Sequence, residues 1–79
     1  MPLYFFHLQD GPSRLEDQEG MRLPDSEAAW YHGVRSARDV IDVEKKSGAV
    51  RPGRHVDVVD EEGEQVWAVP FEEVLSLAI

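Results

Sequence analysis

His7 is the first residue that invites chemistry. It stands in the aromatic run Tyr4-Phe5-Phe6-His7-Leu8, shortly before the carboxylates of Asp10 and Asp17. An imidazole changes charge near neutral pH, so a carboxylate partner would make it a general base or a ligand. In that role His7, with Asp10 or Asp17, would be the catalytic pair of a small enzyme or enzyme subunit. The same residues fit a structural histidine whose ring nitrogens bond backbone or a carboxylate at a sheet end. The structural reading is preferred, because no nucleophile is placed beside it.

A second histidine lies in His55-x-Asp57-x-x-Asp60. On a strand, His55 and Asp57 share a face about 7 Å apart. A metal pair is conceivable there, but exposed acids are common and the solvent side of a hairpin explains the pattern. Asp17-x-Glu19-Gly20 and Asp60-Glu61-Glu62-Gly63 are similar to calcium-loop fragments. Neither has the alternating ligands and distal glutamate of the twelve-residue loop. A metal-responsive module built on Asp10, Glu16, Asp17 and Glu19 is the remaining carboxylate hypothesis. No phosphate loop, dinucleotide fingerprint, zinc spacing or nucleophile elbow is present, so no cofactor or metal is expected.

The elements that must position these residues are organised around Asp25 to Lys46, which reads as an amphipathic helix. Pro24 disfavours helix in the residue before it, Asp25 suits the N-cap, and Glu27 complements the dipole. Lys45 and Lys46 complement the other end, and Gly48 suits the left-handed C′ position. Ala29, Trp30, Gly33, Val34, Ala37, Val40 and Ile41 form one broad face. Trp30 is its largest group, so Trp30→Ala is expected largely to unfold the domain. Glu44 lies on the stripe axis near its end, so the buried face is expected to stop at about Ile41 to Val43. His32 falls on the polar side and is expected to be exposed.

Before the helix, Leu3 to Gln9 reads as a strand that is largely apolar on both faces. That suits a central strand covered on both sides, or one with a contact surface. Asp10-Gly11-Pro12-Ser13 is a turn, and Arg14 to Asp17 a short return strand. Ser47 to Gly53 reads as a loop. Arg54 to Asp60 and Glu64 to Val69 read as a hairpin around Gly63. Phe71, Val74, Leu75 and Ala78 recur at helical spacing, so a short C-terminal helix must dock. Its expected place is an edge, or the sheet face left bare by the long helix. The fold class is α+β: a small antiparallel sheet of three to four strands, one long amphipathic helix on it, and a short C-terminal helix.

Seventy-nine residues make one domain, 1–79, near the lower limit for a self-supporting core. There is no cysteine, hence no disulfide or thiolate chemistry. A cytoplasmic location is the default expectation, since the apolar N-terminus is short and no basic residue precedes it. The net charge of −8 argues against phosphate-backbone binding. The charge is uneven: residues 35–54 hold six of the eight basic groups and three of the sixteen acids, a local +3 that leaves −11 elsewhere. That favours a basic partner surface, or self-association of the basic segment with an acidic end.

Several pieces together carry a resemblance: Tyr4-Phe5-Phe6-His7-Leu8-x-Asp10-Gly11, Asp17-x-Glu19-Gly20-x-x-Leu23-Pro24-Asp25, Ala28-Ala29, Val58-x-Asp60-Glu61-x-Gly63 and Val69-Pro70-Phe71. The chain resembles a family of small uncharacterised bacterial proteins, common in alphaproteobacteria, known as a domain of unknown function. The resemblance implies no activity, substrate or ligand, and it would put a residue larger than glycine at Gly33. The preferred function is a non-catalytic binding or regulatory module with a protein partner or a second copy, acting through the acidic surface or an apolar sheet face. No membrane or nucleic-acid partner is expected.

Overall fold

The computed structural model describes residues 1–48 and 53–77. Five strands, β1 (Leu3–Asp10), β2 (Ser13–Leu15), β3 (Met21–Arg22), β4 (Arg54–Val59) and β5 (Gln65–Pro70), form one antiparallel sheet with α1 (Ser26–Ser47) and α2 (Phe71–Leu77). The order is β2-β1-β4-β5, with β3 beside β2 on the same edge of β1. The first strand is therefore central and pairs with the later hairpin, as its two apolar faces suggest. The return strand is shorter than the sequence implies, and Met21-Arg22 forms a further short strand that pairs with Leu3 and Tyr4. Most of the loop expected over Ser47 to Gly53, and Ala78 of the C-terminal helix, lie outside the described residues.

The long helix is bounded by its local chemistry. The Asp25 carboxylate accepts from the Ala28 amide at 2.9 Å, and Gly48 closes the far end at φ 81°. Its buried line is Ala29, Gly33, Ala37 and Ile41, spaced one turn apart. Small residues let the helix lie close on the sheet. A Cβ on Gly33 would stand 3.1 Å from Val58 Cγ2 and 3.2 Å from Val69 Cγ2, so a larger side chain there requires those valines to shift. Trp30, Val34 and Val40 flank this line and are only partly buried.

That placement corrects the expectation for Trp30. It packs at the margin of the core and forms, with Tyr31, Val34, Arg35 and Arg38, a surface groove of about 580 Å³. Trp30→Ala should cost about 1–2 kcal/mol, the scale of a partly buried aromatic. A melting curve with a distinct, cooperative transition shifted by about 5–15 °C is the expected result.

Of the two places expected for the C-terminal helix, the structure shows the edge: α2 lies beside α1 at the β5 edge, on the same sheet face as α1 and not on the opposite one. Phe71 and Val74 join Ala37, Ile41, Val56 and Val69 in one core cluster. Pro70 is the last residue of β5, one beyond the expected end at Val69. A bulge resolves the faces of β5: Val58 pairs with Trp67 and Val59 with Gln65, leaving Val66 as the extra residue. Val66 thus reaches the core while Ala68, which shares its parity, opposes Asp57 on the other face.

Arg54 explains why Glu44 can lie on the apolar stripe. The guanidinium, 2% exposed, forms a two-pronged ion pair with the Glu44 carboxylate and lies 4.6 Å above the Phe71 ring. The Glu44 hydrogen bond raises the Arg54 pKa further, against the opposing effect of burial. One arginine thus ties β4, the end of α1 and the start of α2 together.

Candidate functional site

On the edge of β1 away from β4, β2 pairs with Leu8 to Asp10 and β3 with Leu3 and Tyr4. Phe5 to His7 have no strand beside them there, and Asp17 fills that gap. Its Oδ2 accepts the Phe6 amide at 3.1 Å, while Oδ1 accepts the Glu19 and Gly20 amides at 3.2 Å each. Its own amide donates to His7 Nδ1 at 3.0 Å. Nδ1 is placed as the acceptor of that bond. His7 is 8% exposed and its ring is parallel to Phe5, with centroids 6.3 Å apart.

Gly20 completes this arrangement. At φ 71° it adopts a conformation that glycine favours. A Cβ there would meet the Tyr4 carbonyl oxygen at 2.9 Å, Phe5 Cε1 at 3.0 Å and Leu3 Cδ1 at 3.1 Å. The β2–β3 connector thus closes over Leu3, Phe5 and His7. That is the second cover the first strand requires, supplied by a loop instead of a helix.

The sequence pairs divide accordingly. His7 and Asp17 come together, but through the Asp17 amide and not its carboxylate. Asp10 lies opposite Arg54 on the helix-bearing face of β1, whereas His7 opposes Asp57 on the other face. His55 and Asp57 share a face as the spacing implied. Asp57 Oδ2 pairs with Arg14 at 3.0 Å and its Oδ1 accepts from Gln65 at 2.5 Å. With Gln9, which accepts from Arg14 at 2.8 Å, these side chains make a hydrogen-bonded stripe from β2 to β5. His32 is not the freely exposed group expected: it is half-buried and meets Phe6 edge-on, with centroids 4.5 Å apart. Among the described residues, no three histidine or acidic side chains form a group able to hold a metal ion.

Both buried-side aspartates are held below the ordinary carboxyl range. For Asp17, burial pushes the pKa up, but the Gly20, Phe6 and Glu19 amides and the His7 ring outweigh it. For Asp57, burial is likewise outweighed by Gln65, Arg14 and His55. A depressed folded pKa gives stability that is complete above the unfolded value of about 3.9 and is lost as pH falls through the folded value. Unfolding free energy should therefore fall as pH drops below about 5. Asp17→Ala should flatten that acid limb and cost about 2 kcal/mol, because three amides lose an acceptor. Denaturant titrations of both proteins from neutral to acid pH check this.

At the other end of the sheet lies a crevice of about 290 Å³, lined by Pro2, Leu3, Tyr4, Ser26, Asp60, Glu61, Glu62 and Val66. Asp60 Oδ1 accepts the Glu62 and Glu64 amides at 2.9 Å each and so shapes the β4–β5 turn, with Gly63 at φ 83°. Glu61 accepts the Leu3 amide at 3.2 Å and lies 4.0 Å from Arg22. Among the described residues the Glu62 and Glu64 carboxylates have no hydrogen-bond or ion-pair partner.

A family model described as Domain of unknown function (DUF6894) matches residues 3–72, from the first strand into the C-terminal helix. The chain belongs to the DUF6894 family. No curated protein and no solved structure matches it. The DUF6894 match spans the His7–Asp17–Gly20 arrangement, the capped helix and the acidic turn. Arg54 is the DUF6894 residue whose importance the sequence reading missed. Its signal was an arginine on the Val56–Val58 face of β4, matched by a glutamate on the apolar axis of the helix that packs there. No helix among the described residues is long and apolar enough to cross a membrane.

Proposed function

We propose that this DUF6894 domain is a non-catalytic module that binds a basic protein segment at its acidic end, around the β4–β5 turn. The observation that carries this reading is the commitment of His7 and Asp17, the one of the two pairs offered for acid–base chemistry that the fold brings together. His7 Nδ1 and both Asp17 oxygens are taken up by main-chain amides. The side chains left for recognition include the carboxylates of Glu62 and Glu64, beside the crevice, which have no partner among the described residues. They match the excess of negative charge outside residues 35–54.

Calorimetric titration with a lysine-rich peptide, at low and high salt, tests the reading. Salt-sensitive binding is expected, weakened by a Glu62→Gln, Glu64→Gln variant and left intact by Glu16→Gln. Equal losses in both variants would reduce the interaction to diffuse charge attraction and reject the proposed site.

A further inference from the structure

The two edges of the sheet are treated differently. On the β1 side the strands are only three and two residues long, carry Arg14 and Arg22, and the gap between them is filled by the Asp17 carboxylate. Short strands and charges are the usual means of blocking further pairing. On the other side, β5 is a six-residue strand, Gln65-Val66-Trp67-Ala68-Val69-Pro70, with no charge in it. Among the described residues it pairs only with β4, so its outer row of backbone groups faces no strand. Gln65, Trp67 and Ala68 are exposed along it. Val66 also lines the acidic crevice, so the edge and the crevice are continuous.

Charge frames this edge. Asp60, Glu61, Glu62 and Glu64 precede β5, and Glu72 and Glu73 follow it. Glu72 receives the Gly53 amide at 2.6 Å, whereas Glu73 is exposed. A second copy aligned antiparallel along β5 would bring acids against acids at both ends. An extended segment with basic residues flanking an uncharged centre would instead satisfy both the backbone row and the carboxylates.

We propose that the outer edge of β5 accepts such a basic-ended extended segment of a protein partner as an added strand. This rests on the reading of the domain as a binding module and specifies how the partner docks. Main-chain hydrogen bonds would give the attraction, the acidic ends the orientation, and Trp67 an apolar contact.

The test uses the wild-type protein and three short synthetic peptides, followed by amide chemical shifts. The first alternates valine and threonine between terminal lysines. The second is the same peptide with alternate backbone nitrogens methylated along the pairing edge. The third has glutamates in place of the lysines. The proposal expects the first to shift amides of residues 65–70, the second to bind about tenfold or more weakly, and the third not to bind. Equal binding of the methylated peptide, with shifts confined to residues 60–64, would overturn strand addition and leave the acidic-end module standing. Equal binding of the glutamate peptide would overturn the charge match, and no binding by any peptide would overturn both proposals.

Discussion

Replacing Phe71 by alanine is expected to remove about 3–5 kcal/mol of stability. A chain of this length has about 4–12 kcal/mol in total. Phe71 is completely buried and opens α2 directly after the strand-ending Pro70. A helix of seven residues does not hold itself together in water, so its packing decides whether it exists. The ring fills the junction of α1, β4 and β5 and forms the floor under Arg54. Its loss leaves both a cavity and a guanidinium without its aromatic face. Thermal melts should drop by about 15–30 °C, or lose cooperativity. Phe71→Leu, which keeps most of the volume, should cost about 1.5 kcal/mol or less. A Phe71→Ala melt within a few degrees of wild type would mean that α2 is not docked where it is placed here.

The second large effect comes from the ion pair under the helix end. Glu44→Ala leaves the Arg54 guanidinium buried without its two-pronged acceptor, and breaking such a pair costs about 3 kcal/mol or more. The Asp10 charge also acts on Arg54, which places the cost at the lower end of that range. Replacing both partners by apolar residues of similar size, Glu44→Leu with Arg54→Met, should recover much of the loss, because neither charge then needs solvation. Chemical denaturation of the two variants measures this directly. A single variant costing less than about 1 kcal/mol would show a pair no stronger than a surface contact.

What was legible in the sequence was local. The start and end of α1 are written in Asp25 and Gly48, whose side chain and backbone angle act within one turn of the helix. The β4–β5 turn is written in Asp60 and Gly63 for the same reason. The α+β class followed from these elements and the alternation of β4.

The rest depended on contacts far apart in the chain. The position of α2 is set by Phe71 meeting Arg54 and joining the core cluster that holds Ile41, which no local pattern encodes. Trp30 shares the helical stripe with Ile41, yet the small residues Ala29, Gly33 and Ala37 set the line of closest approach, and the indole is left at the margin. The sequence offers Asp17 as a partner for His7, but its role depends on the gap that β2 and β3 leave along β1. The bulge at Val66 inverted the parity of β5, and no sequence alternation announces an extra residue.

The pairing of β5 with a partner strand is most directly tested by amide hydrogen exchange, measured with and without the lysine-ended valine–threonine peptide. Slower exchange at residues 65–70, with β2 and β3 unchanged, is the predicted result. Unchanged exchange in β5 at a peptide concentration that saturates binding would contradict strand addition at this edge.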